Sequence, residues 1–163
     1  MKTETPELSR RNLLTLVGAV TATATMAAGC GGSAAAAATP ARAKLFYTEA
    51  GAGRNVMVLH GWTCDSHDWS WQLPVLDGKY RVVAVDLRGH GRSEVMPPGA
   101  YQPADYVADI EWLIATKYPG QKFTLIGHSM GAQIAARLAA RRPDLVDAVV
   151  SVDGTLGFSA ALE

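Results

Sequence analysis

A chain of 163 residues with 48% apolar and 18% charged side chains has the size and composition of one globular domain with a modest core. Its 15 Lys and Arg are balanced by 15 Asp and Glu, which argues against nucleic acid as a partner, since that needs a basic surplus on one face. No Cys/His spacing has the form of a metal site, and neither a metal nor an organic cofactor is expected.

Residues 1–29 differ from the rest. Arg10 and Arg11 follow Ser9, and an uncharged run of apolar and small residues extends from Leu13 to Gly29. A basic segment, an apolar segment and small residues near its end describe an export signal. The paired arginines followed by Leu13 and Leu14 resemble a twin-arginine signal. The run is too short and too rich in Ala, Thr and Gly to make a good spanning helix, which needs about 20 strongly apolar residues. "MAAGC" resembles the end of a bacterial lipobox, with Cys30 as the lipidated residue and Ala27 where Leu is more usual. The expectation is an exported protein, either a lipoprotein of the cell envelope or a secreted one. Contact with a membrane is expected only through that lipid. Residues 30–43, "CGGSAAAAATPARA", read as a low-complexity linker. With Cys30 lipidated, Cys64 would have no partner for a disulfide.

From residue 44 to 163 short apolar runs alternate with helical patterns, and one partial domain is expected. "KLFYT" is a strand and "GAG" a turn. "NVMVLHG" is an apolar strand. "SHDWSWQLPVL" is a helix, or a loop and a helix. "YRVVAVDLRG" is again an apolar strand, followed by a Pro- and Gly-rich loop. "PADYVADIEWLIATKY" puts Val107, Ile110, Leu113 and Ile114 on one helical face. "KFTLIGHS" is the next strand, "MGAQIAARLAARRP" the next helix and "LVDAVVSVDG" the last strand. Strands without polar alternation are buried on both faces, as in parallel sheets covered by helices. Strand and helix in alternation therefore predict an α/β fold, a doubly wound and mostly parallel sheet with flanking helices.

Chemistry in such sheets collects at the carboxyl ends of the strands. Those ends carry His60-Gly61-Trp62, Asp86-Leu87-Arg88-Gly89, Gly127-His128-Ser129 and Asp153-Gly154. The sequence G-H-S-M-G between a strand and a helix has the form of a nucleophile elbow. Ser129 is the candidate nucleophile, with Gly127 and Gly131 allowing the sharp turn. A tetrahedral intermediate needs two hydrogen-bond donors for its oxyanion. The Met130 amide is one by position, and the Trp62 amide, on a loop that Gly61 lets approach closely, is the other.

"VLHGW", "VVAVDLRGHGRS" and "LIGHSMG", in this order, resemble the amino-terminal half of the α/β-hydrolase family, and within it the esterases, perhydrolases and cofactor-free haloperoxidases. The resemblance spans about Lys44 to Gly157. It implies Ser129 as nucleophile, the Trp62 and Met130 amides as oxyanion hole, and structural roles for Asp86, Arg88 and His90. The triad of that fold runs Ser, acid, His along the chain, yet no histidine follows His128. Asp153 alone is placed like a triad acid, although a strand-end Asp-Gly is also an ordinary turn. His60 and His128 are candidate substitutes for the base, with structural packing the competing reading. The last strand reads as buried on both faces but would form a bare edge, so the chain is expected to be a truncated piece of a longer enzyme, fold and triad both interrupted. Trp69 and Trp71 could line an acyl pocket or the core; Trp112 reads as core. His67 and Asp68 read as capping or surface residues, and Arg137, Arg141 and Arg142 as a solvated helix face.

The function expected is that of a serine hydrolase acting on an ester or similar small acyl substrate through an acyl-enzyme on Ser129, weak or inactive in this chain. The alternative is a surface-tethered binding module that keeps the fold without the chemistry. A change of reaction to perhydrolysis or carbon–carbon cleavage is a third reading. The substrate and the oligomeric state are not readable.

Overall fold

The structure, a computed structural model, describes residues 42–155. The expected export signal, Cys30 and most of the linker lie outside the described residues. Five strands form one sheet: β1 (Tyr47–Ala50), β2 (Asn55–Leu59), β3 (Arg81–Val85), β4 (Phe123–His128) and β5 (Val146–Val152). Their spatial order is β1-β3-β2-β4-β5. β1 runs antiparallel to β3, with Tyr47 opposite Val85. The remaining pairs are parallel, with Met57 opposite Val83 and Leu59 opposite Gly127. The helices are α1 (Leu73–Leu76), α2 (Pro103–Lys117) and α3 (Met130–Arg141), with a 3-10 turn over Ser66–Trp69.

The apolar strands are explained by what covers each face. Met57, Leu59, Val83, Val85 and Leu125 point to one side, where Val107, Ile110, Leu113 and Ile114 of α2 and Ile134 and Leu138 of α3 close over them. Val56, Val58, Val82 and Ala84 point to the other and meet Trp69, Leu73 and Leu76. Alternate residues of one strand thus enter two cores, which is why polar alternation is absent. Each fully buried Leu, Ile, Val or Met contributes about 1.5–3 kcal/mol. The mostly parallel, doubly wound sheet expected from the sequence is the one observed.

α2 starts where Pro103 supplies a preset φ and the Asp105 carboxylate accepts from the Gln102 amide at 2.9 Å. It stops before Pro119 and Gly120, the latter at φ +73°. The segment after β2 is the loop-and-helix alternative. Its 3-10 turn is capped by Asp65, which accepts from the His67 amide at 2.7 Å, so His67 and Asp68 are surface residues and the cap lies upstream of them.

Two expectations need correction. The first strand begins at Tyr47 rather than Lys44, because the Lys44 amide is taken by the Glu94 carboxylate and Phe46 by Ser93 Oγ. β5 forms the bare edge expected for the last strand of this chain: Val146 is buried, and Val150 and Val152 are 45% and 41% exposed. The physical reason is that, among the described residues, β5 pairs only with β4. Trp112, expected in the core, is 37% exposed on α2.

Candidate active site

Ser129 joins β4 to α3 with φ +48° and ψ −111°, a conformation that costs a residue with a β-carbon about 1–3 kcal/mol. The surroundings hold it there. A β-carbon on Gly127 would overlap the Gly131 backbone, and one on Gly131 would overlap the Leu59 carbonyl oxygen. The elbow can therefore close only with glycine at both positions. The Ser129 amide donates to the Val152 carbonyl at 3.0 Å, and its carbonyl accepts from Ala132 and Gln133 at 3.1 and 3.3 Å. α3 begins at Met130, so the Met130 amide belongs to a first turn without intrahelical acceptors, at the positive end of the helix dipole.

The loop after β2 reaches this turn. A β-carbon on Gly61 would stand 2.8 Å from His128 Nδ1 and 3.5 Å from Ser129 Cβ, so the absent side chain is what lets the loop approach. Trp62 follows, 61% exposed, with its ring edge-on to His90 at 5.8 Å. Thr63 takes φ +63°, and the Cys64 amide closes the turn onto the Gly61 carbonyl at 3.3 Å. The Cys64 thiol, hydrogen-bonded to Asp68 and partly desolvated, has its pKa pushed up, the opposite of an activated nucleophile.

His60 is fully buried. Its Nε2 accepts from the Leu87 amide at 2.9 Å and its Nδ1 faces the Gly61 carbonyl at 2.8 Å. Those partners assign the neutral ring with its proton on Nδ1, and burial lowers its pKa below the ordinary 6.5. Neither nitrogen is left for Ser129, so His60 ties the ends of β2 and β3 and is not the base.

The loop after β3 is an electrostatic frame. Asp86 Oδ1 accepts from the Ser66 amide at 2.9 Å, and Oδ2 from Arg92 N and Nε at 2.9 and 3.1 Å. Burial of Asp86 works against its charge, but these bonds outweigh it and hold the carboxyl below its usual range. Gly91, at φ +53°, lies where any β-carbon would strike that carboxylate. Arg88 is 1% exposed and grips Asp109 of α2 through two bonds of 2.6 Å, while Nη1 reaches the Ala100 carbonyl at 2.7 Å. Asp109 also accepts from the Ala43 amide at 3.1 Å. Asp109 escaped the sequence reading, although one signal was present: a carboxylate among Tyr106, Ile110 and Leu113 on the buried stripe of α2.

Asp153 follows β5 at φ +48°. It is exposed and makes no side-chain hydrogen bond among the described residues. The structure thus brings together Ser129, Gly61, His128 and the β5 exit, while Asp153 is linked to Ser129 through the backbone of Val152. Trp69 and Trp71 both line a cleft of about 530 Å³ with His60, His128 and Val152. Trp69 is otherwise core, and Trp71 is 86% exposed. Among the described residues no cluster of His, Cys, Asp and Glu is arranged to hold a metal ion, and no helix is long and apolar enough to cross a membrane.

Several known proteins resemble this chain over part of their length. A "serine hydrolase-like protein" of Danio rerio is 38% identical over 107 residues, covering 65% of this chain and 32% of that protein. A 2-(acetamidomethylene)succinate hydrolase of Mesorhizobium japonicum is 39% identical over 114 residues, covering 70% and 40%. The solved structure of a thermophilic esterase from Thermogutta terrifontis superposes with a TM-score of 0.68 at 30% identity, over 77% of this chain and 46% of that one. The chain thus spans less than half the length of these relatives. The family model for the alpha/beta hydrolase fold matches residues 54–162. The chain belongs to the α/β-hydrolase fold family.

Proposed function

We propose that Ser129 is the nucleophile of a serine hydrolase that cleaves an ester or similar small acyl substrate. The observation that carries this reading is the backbone at Ser129, φ +48° between Gly127 and Gly131 at the mouth of α3. A strained turn that raises a hydroxyl over a helix amino terminus has an evident use in acyl transfer. Oγ attacks the acyl carbon, its proton passes to a base and then to the departing alcohol, and the ester C–O bond breaks as Oγ becomes acylated. Water repeats the sequence to release the acid. The Met130 and Trp62 amides are the proposed oxyanion donors.

With His60 committed to Leu87 and Gly61, and no histidine after His128, the general base is proposed to come from a longer form of the protein. The same observation supports a second reading, a binding module that retains the pocket without turnover. A serine-directed fluorophosphonate separates the two. The hydrolase reading expects labelling of the 163-residue chain that Ser129→Ala removes, slower than in a complete triad because only oxyanion-hole and binding contributions remain. Labelling no faster than that of Ser129→Ala supports the module.

The export signal and a lipid on Cys30 remain part of the proposal for where the protein works. The intact mass of the mature product from membrane and secreted fractions tests both.

A further inference from the structure

A cleft of about 700 Å³ lies where the chain enters the described residues, lined by Arg42, Lys44, Leu45, Glu94, Trp112 and Lys117, among others. It shares no lining residue with the clefts that contain Trp62, His128 or Met130. On α2 it takes the later half, Trp112 to Lys117, whereas Tyr106 of the first half lines a cavity with Met130. A partner seated here leaves the approach to Ser129 open.

The entering segment is fixed to this wall by its backbone. The Ala43 amide donates to Asp109 at 3.1 Å, the Lys44 amide to Glu94 at 2.7 Å and the Phe46 amide to Ser93 Oγ at 2.8 Å. Held in this way, the segment presents Arg42 and Lys44 beside Lys117 of α2, all three exposed. Three cations thus share the cleft with one carboxylate, Glu94. None of the three forms an ion pair among the described residues. The acids of neighbouring elements answer other groups: Asp109 pairs with Arg88, Glu111 with Arg141 and Arg142, and Glu49 with Arg81. The positive field of the cleft is therefore not cancelled from its flanks. Trp112, 37% exposed, sets a large amphipathic ring among these cations. That combination suits a membrane surface, the ring at the headgroup boundary and the cations against lipid phosphates.

The sequence brings such a surface within reach. Residues 30–41 separate Cys30 from Arg42, and twelve residues span at most about 40 Å when fully extended. A lipid on Cys30 keeps the cleft within that distance of a bilayer, and at so high an effective concentration weak contacts are enough to dock the domain.

We propose that this cleft is a docking surface for an anionic phospholipid bilayer, with Trp112 entering the headgroup region and Arg42, Lys44 and Lys117 on lipid phosphates. The tether rests on the lipid reading of Cys30, while the docking surface stands on the cleft itself.

The test uses the mature protein from the membrane or secreted fraction. It is mixed with vesicles of phosphatidylcholine brominated on its acyl chains, alone or in an equal mixture with phosphatidylglycerol. Bromine quenches tryptophan that reaches the lipid. Stronger quenching is expected in the mixed vesicles, although they hold less bromine. Trp112→Phe should abolish that excess, and Trp71→Phe, which removes a tryptophan 86% exposed in a different cleft, should leave it. Lys44→Gln together with Lys117→Gln should lower the docking constant about tenfold, and added salt should weaken docking of the parent in the same direction. Equal quenching in the two kinds of vesicle, or an excess that survives Trp112→Phe, overturns the proposal and leaves an acidic protein as the occupant the charges fit. The lipid comparison on the parent needs no variant to fold. Intact mass of the same sample reports on Cys30. Excess quenching without a lipid mass keeps the docking surface and fails the tether; a lipid mass with equal quenching does the reverse.

Discussion

Gly131 lies so close to Leu59 that a methyl group on its α-carbon would overlap the Leu59 carbonyl oxygen. This contact joins the first turn of α3 to the end of β2, and so sets the distance between the serine turn and the loop bearing Trp62. Gly131→Ala should destabilise the fold by about 1–3 kcal/mol, the range for overpacking. It should also reduce phosphonate labelling of Ser129 under conditions where the chain stays folded. Urea unfolding alongside labelling of the native fraction checks both effects, and an unchanged midpoint would remove the steric argument.

The Arg88–Asp109 pair couples the loop after β3 to α2 in a place where each side chain is about 98–99% buried. Removing Arg88 strands the Asp109 carboxylate, and removing Asp109 leaves the buried guanidinium with only the longer pairing to Asp105 at 3.8 Å among the ion pairs described. Asp109→Asn or Arg88→Met should each cost about 3–5 kcal/mol, whereas an apolar replacement of both should recover much of the loss. A double-mutant cycle by chemical denaturation measures the coupling.

His60 makes stability depend on pH in a stated direction. Its folded pKa lies below the unfolded 6.5 because burial disfavours the charged ring. Between those two values the unfolded chain binds the proton and the folded one does not, so this contribution is intact above pH 6.5 and is lost as pH falls toward the folded pKa. The slope should approach, and not exceed, about 1.4 kcal/mol per pH unit from this residue. Asp86 acts in a separate window: its folded pKa is held below 3.8, so the stability it adds is present above that value and disappears at lower pH. Urea midpoints at pH 8, 6 and 5 (about one unit apart near the transition) for the parent chain and His60→Gln test the first effect. A flat parent profile would contradict the lowered pKa of His60.

Val150 and Val152 lie exposed along β5, whose outer edge has no partner strand among the described residues. Apolar edges of this kind template association. Val150→Lys should change stability by less than about 0.5 kcal/mol and shift the chain toward monomer in sedimentation velocity. An unchanged distribution would show that β5 does not mediate self-association.

Much of this architecture was legible from residue order. The apolar runs of β2, β3 and β4, the stripe on α2 and the Gly-His-Ser-Met-Gly turn all report local chemistry, and local chemistry decides them. What escaped is set by the third dimension. Asp109 is a charge on an apolar stripe, and its meaning depends on Arg88, 21 residues earlier in the chain. The commitment of His60 depends on an amide supplied by Leu87, 27 residues on, so a histidine beside the elbow remained a candidate base until both of its nitrogens were located.

The central claim is that Ser129 becomes acylated. Its most direct test is mass spectrometry of the chain after exposure to p-nitrophenyl acetate, with peptide mapping of the acetyl group. The account predicts an acetyl adduct on the peptide containing Ser129, absent from Ser129→Ala and retained in His60→Gln where that variant is folded. Acetylation at scattered lysines, equal in the parent and in Ser129→Ala, would contradict it.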